Sequence, residues 1–92
     1  MIYELKEKKL ILKNGRQIKL TPLEHKLLIA LSDNSTTTYE TILLKMYGLG
    51  EYQILKNSLA EVKKRLSNKT KQLKIIVLSN IGYRLETEIY YK

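Results

Sequence analysis

The tetrapeptide Thr21-Pro22-Leu23-Glu24 constrains this chain more than any other short segment. Threonine is a good N-cap, and proline at the first helical position forgoes only an amide that has no partner there. Glutamate three residues after the cap can reach back to complete a capping box. A helix therefore starts at residue 22, and the chain before it must be something else. That preceding segment, Leu10 to Leu20, is rich in apolar and β-branched residues on either side of Asn14-Gly15. Asn-Gly between two such runs predicts a hairpin, because both residues tolerate the positive φ of a type I′ turn. With residues 2–5 as a further strand, residues 1–20 read as an N-terminal antiparallel sheet.

Beyond residue 22 the apolar positions Leu23, Leu27, Leu28 and Leu31 recur at helical spacing, and Ser32-Asp33-Asn34-Ser35 ends the helix. Thr36 to Thr38 read as loop and cap: Thr38 starts a second helix whose Ile42, Leu43, Met46 and Tyr47 form one face, stopped by Gly48 and Gly50. A third helix spans about 54–67, with Leu55, Leu59, Val62 and Leu66 as its buried stripe. At about 100° per residue, Asn57, Glu61, Lys64 and Asn68 fall on the opposite face, flanked by Lys56, Ala60, Lys63 and Arg65. A basic loop from Lys69 to Lys74 leads to two strands, Ile75-Ile76-Val77-Leu78 and Tyr83 to Thr87, around Ser79-Asn80-Ile81-Gly82. The tail with Tyr90-Tyr91 is open between an extra strand, a dimer contact and disorder.

Ninety-two residues suffice for one domain of modest core size, so residues 1–92 read as a single unit: sheet 1–20, three-helix core 21–68, hairpin 75–88. There is no Cys, so regular packing must supply the stability, and a reducing cytoplasm is the expected location. No stretch approaches a membrane span, and Met1 to Lys9 lacks the apolar centre of a secretory signal. His25 is the only histidine, which leaves no tetrahedral metal set and no nucleophile-base pair; a partly buried, hydrogen-bonded His25 is the expectation. Neither enzyme activity nor a cofactor is expected.

The net charge is +8, and it is concentrated. Residues 54–75 carry six lysines and Arg65 against Glu61 alone. A clustered basic face is the electrostatic footprint of a polyanion, because each cation placed at a phosphate releases condensed counterions.

Sheet, three helices and terminal hairpin is the element order of an α+β winged helix-turn-helix. Four segments carry a closer likeness. Leu20-Thr21-Pro22-Leu23-Glu24-His25-Lys26-Leu27-Leu28 resembles the LTPxE(F/Y)xLL opening of OmpR/PhoB-type winged-helix effector domains of response regulators. Thr38-Tyr39-Glu40-Thr41-Ile42-Leu43 through Tyr47-Gly48 is similar to their second helix. Leu59-Ala60-Glu61-Val62-Lys63-Lys64-Arg65-Leu66 resembles their recognition helix, and Ile81-Gly82-Tyr83-Arg84-Leu85 their GxGYRL wing.

The resemblance implies a bacterial regulator of transcription that binds duplex DNA, often as a head-to-tail homodimer on repeated sites, with RNA polymerase or another regulator as a further partner. Asn57, Ser58 and Glu61 match the family's major-groove readers, and Lys63 and Lys64 the neighbouring basic contacts; Lys56, in the same basic cluster, is expected to contact phosphate. Tyr83 and Arg84 match wing residues that meet backbone or groove, and Ser79 and Asn80 stand at the wing position that commonly enters the minor groove. Departures are informative. Glu61 stands where the family usually has Arg, and a carboxylate accepts from cytosine N4 instead of gripping guanine. Ser79-Asn80 replaces the wing Arg-Gly, and the loop 48–53 is about three residues shorter than in activators that touch polymerase through it. No receiver domain is present, so the sequence reads as a small stand-alone regulator or an excised domain. The alternative reading is a protein-interaction module on a winged-helix scaffold that has lost base readout; structured RNA is a weaker third.

Overall fold

The computed structural model describes residues 1–48 and 52–92, with the side chains of 52–56 outside the description. The chain opens with three short strands, β1 (Ile2–Glu4), β2 (Lys9–Ile11) and β3 (Gln17–Lys19), paired as an antiparallel meander. Tyr3, Leu10 and Ile18 lie in register across them. Tyr3 and Leu10 are fully buried, and Ile18 packs partly buried beside them, so this row is the face turned to the core.

The β2–β3 hairpin forms where expected but not by the expected turn. Only Gly15 takes a positive φ, +85°. The Gly15 amide donates to the Leu12 carbonyl at 2.9 Å, and the Leu12 amide to the Arg16 carbonyl at 2.9 Å. This is a tight turn followed by one left-handed residue, which matches strand twist as well as a type I′ pair does and asks only glycine to enter the left-handed region. Asn14 contributes through its side chain, which accepts from the Arg16 amide at 3.0 Å.

Thr21 caps α1 (Pro22–Ala30), and both halves of the capping box are made: the Glu24 amide donates to Thr21 Oγ1 at 3.3 Å, and the Thr21 amide to Glu24 Oε1 at 2.8 Å. Leu27, Leu28, Ala30 and Leu31 are buried. Leu23, expected on the same face, is exposed; in the first turn of the helix the inward position is taken by Glu24.

Two strands were not legible beforehand. Thr37–Thr38 form β4, which leads directly into α2 (Tyr39–Tyr47), so Thr38 serves both as strand and as N-cap, accepting from the Thr41 amide at 3.2 Å. Helix α3 runs over Tyr52–Lys69, about two residues longer at each end than its stripe suggests. Then β5 (Ile75–Leu78) and β6 (Gly82–Leu85) form the terminal hairpin, and β4 pairs antiparallel with β6 to give a three-stranded sheet ordered β4-β6-β5.

The tail resolves as β7 (Tyr90–Tyr91), parallel to β1 at the edge of the first sheet, whose order is β3-β2-β1-β7. Amides of Tyr90, Lys92 and Leu5 bond across this seam to Met1, Tyr3 and Lys92 carbonyls, each at 2.9 Å. The two sheets and three helices share one buried cluster, in which Leu10, Leu27, Leu28, Leu31, Ile42, Leu43, Leu59, Leu66 and Leu85 are the largest aliphatic side chains almost wholly removed from solvent.

Candidate nucleic-acid interface

Helix α3 is divided by its own periodicity. Leu59, Val62 and Leu66 are buried, on a helix that packs against α1 and α2, as their spacing predicts; Leu55 lies outside the described side chains. Asn57, Ser58, Ala60, Glu61, Lys64, Arg65 and Asn68 are exposed, and Lys63 is half-buried at the flank. Asn57, Glu61, Lys64 and Asn68 form a row at intervals of four, three and four residues. Lys56 lies outside the described side chains; of the residues 48–53 expected to form a short loop, 49–51 lie outside the described residues and 52–53 belong to α3.

The basic segment after this row is less uniform than its sequence. Lys71 and Lys74 are exposed, but Lys69, read as part of the phosphate-facing cluster, turns inward. Its Nζ lies 2.5 Å from Glu24 Oε1 and donates to the Lys19 carbonyl at 2.8 Å. Glu24 is 1% exposed. Burial by itself would raise its carboxyl, but the Lys69 hydrogen bond, the Thr21 amide and the Lys69 charge prevail and hold it below the ordinary range. One side chain thus closes the α1 cap and locks α3 to α1. Sequence reasoning recovered the first role and missed the second, since nothing local links residues 24 and 69.

At the wing, Ser79 and Asn80 are exposed at the hairpin tip, with Asn80 at φ +63° and the Ile81 amide donating to the Leu78 carbonyl at 2.9 Å. Tyr83, expected to meet backbone or groove, is only 5% exposed. Its ring packs edge-on against Tyr39 with centroids 5.3 Å apart, and burial followed by the neighbouring Tyr39 pushes its hydroxyl pKa up. The correction has a plain cause: Tyr83 pairs with Thr37 on β4 and Val77 on β5, in the middle strand of the sheet, on the side facing α2. Arg84 does reach the surface, where its guanidinium donates to Glu86 Oε1 at 3.0 Å.

His25 sits as expected. Its Nδ1 lies 2.6 Å from the Tyr3 hydroxyl, whose pKa is pushed up to about 12 by burial and by nearby Tyr91 and Glu24. Burial, then the charges of Lys8 and Lys26, hold the imidazole below its usual 6.5. The folded state therefore binds this proton less readily than the unfolded chain, so the His25 contribution makes stability fall as pH drops below 6.5. An NMR titration of the His25 ring should show a midpoint under 6.5, and Tyr3→Phe should cost about 1 kcal/mol in urea denaturation. Among the described residues, no group of acidic, His or Cys side chains is arranged to hold a metal, and no helix is long and apolar enough to cross a membrane.

A strand joined to a helix-turn-helix, a long third helix with one polar face, and a hairpin paired back onto that strand together define a winged-helix fold. The chain is similar to the crystal structure of the DNA-binding domain of Bacillus subtilis CssR, with 28% identity and a TM-score of 0.67 over 84% of this chain and 89% of that one. No family model matches the sequence, and no curated protein matches it.

Proposed function

We propose that this chain binds duplex DNA sequence-specifically to regulate transcription, with α3 in the major groove and the β5–β6 wing on the adjacent backbone or minor groove. The observation that carries the reading is the exposed row Asn57, Glu61 and Lys64 on a helix whose opposite face is core, in a fold shared with a DNA-binding domain. A helix anchored along one face presents the other as a rigid unit, as base readout requires. Asn57, Ser58 and Glu61 read base edges; Lys56, Lys63 and Lys64 hold phosphates; Ser79, Asn80 and Arg84 line the wing contact. Tyr83 supports the wing from inside.

Selection from a random duplex library at about 150 mM salt should enrich a motif, and a direct repeat spaced by about one helical turn would mark head-to-tail pairing. On that motif, Lys64→Ala should weaken binding to all sequences alike and reduce the salt slope by about 1. Asn57→Ala should relax preference at one base pair, worth about 1–3 kcal/mol of discrimination. If both variants bind like the parent, the docking geometry is wrong.

The second reading, a protein-interaction module, draws on the Arg84–Glu86 ion pair and on Glu61, which both reduce positive charge where phosphate would lie. Its signature in the same experiment is no retention of duplex at all, together with a stoichiometric protein partner.

A further inference from the structure

The polar tip of the wing, Ser79-Asn80, is flanked by exposed apolar side chains. Val77 and Ile81 are 50% and 52% exposed, on either side of the turn through Ser79 and Asn80. Residues 77–83 contain no cation, and the charged side chain that shares the hollow with Asn80 and Ile81 is Glu40, at the start of α2. Any attraction of this tip to DNA therefore cannot come from a cationic clamp on phosphate within residues 77–83.

Ile81 is also held unusually firmly for a loop residue. Its amide donates to the Leu78 carbonyl at 2.9 Å, and its carbonyl accepts from the Tyr39 amide at 3.0 Å, at the first residue of α2. The next residue, Gly82, sits against the Thr37 backbone with no room for a side chain. A β-branched side chain has few rotamers to lose, so Ile81 projects as a pre-organised aliphatic tooth. The fold leaves about half of it in water, so part of its apolar surface is available for burial against a partner.

We infer that Ile81 acts as a wedge that enters the minor groove beside the recognition site and partly unstacks one base step, with Val77 packing on the adjoining sugar. This rests on the DNA-binding reading above. Apolar wedges of this kind kink duplexes, and the cost is lowest at pyrimidine–purine steps, which unstack most easily. The wing then selects sequence through deformability, without a hydrogen bond to a base.

The test uses the full chain and the duplex it selects, labelled at its ends for energy transfer and carrying 2-aminopurine at the step under the wing. The parent should shorten the end-to-end distance and raise the 2-aminopurine emission. Ile81→Ala should abolish both changes and weaken binding about tenfold with an unaltered salt slope, while Ile81→Met retains the kink. Thermal melting of each variant checks that the fold is intact. Binding to a duplex that stays straight, or a kink that survives Ile81→Ala, overturns the wedge and leaves the DNA reading standing. Failure to bind any duplex overturns both.

Discussion

Gly82→Ala is expected to destabilise the protein by about 3 kcal/mol or more, a fall in Tm of roughly 15 °C for a domain of this size. A Cβ built at Gly82 would lie 1.8 Å from the Thr37 carbonyl oxygen, 2.7 Å from its carbon and 2.8 Å from Thr38 Cα. All three are backbone atoms, so no rotamer change relieves the overlap. The β4–β6 pairing must open, and with it the support for the start of α2. Gly15→Ala is the useful contrast. Its φ of +85° is unfavourable for alanine, yet nothing lies within 4 Å, so the cost should stay near 1 kcal/mol. Denaturant midpoints for the two variants check this, and a Gly82→Ala protein within 0.5 kcal/mol of the parent would contradict the close approach of β4 to β6.

Lys69→Met should cost about 2–3 kcal/mol, because it strands a carboxylate that is 98% buried by its side chain while keeping most of the aliphatic stem. The value stays at the low end of such losses because the Lys69 side chain is itself 29% exposed and water can partly replace it. Adding Glu24→Gln should recover part of the loss, since the amide oxygen can still accept from the Thr21 amide and no charge is left unpaired. The pH dependence follows from the same pair. The Glu24 carboxyl is held below its ordinary 4.5 when folded, so near and below that pH the unfolded chain binds the extra proton. The Glu24 contribution is therefore full above about 4.5 and is lost as pH falls through the lower folded value, a loss that Glu24→Gln should remove from the acid limb. Near neutral pH, a Lys69→Met protein that remains folded should keep the parent's salt slope for DNA, in contrast to Lys64→Ala, because Lys69 already spends its charge on Glu24.

These expectations divide according to the range of the interactions behind them. The start of α1 was legible because the capping box is complete within four residues, and α3's two faces were legible because helical periodicity sorts Leu59, Val62 and Leu66 from Asn57, Glu61 and Lys64. The four segments resembling OmpR/PhoB-type domains stated the architecture that the fold bears out. Two-residue strands are different: Thr37–Thr38 and Tyr90–Tyr91 carry no periodicity, and each becomes a strand only because a partner chain segment lies alongside.

The candidate site was legible to the same degree. The exposed row on α3 follows from spacing, whereas the wing residues depended on which face of β6 turns inward. Alternation along a strand tells which residues share a face but not which face is buried. The resemblance put Tyr83 together with its neighbour Arg84 at backbone or groove, whereas β4 on one side and α2 beneath commit its ring to Tyr39.

What the sequence determined by itself was therefore the local grammar: where helices begin, which stripe of each is apolar, where the chain turns, and that the positive charge gathers around the third helix. Only the tertiary structure decided that Lys69 answers Glu24 across 45 positions, that Gly82 yields its side-chain space to Thr37, that the tail closes the first sheet, and that Ile81 stands clamped in solvent. The physical reason is common to all four. Each depends on groups far apart in the chain meeting at contact distance, and that meeting is set by how the helices and sheets pack, a property of the whole core that no window of sequence contains.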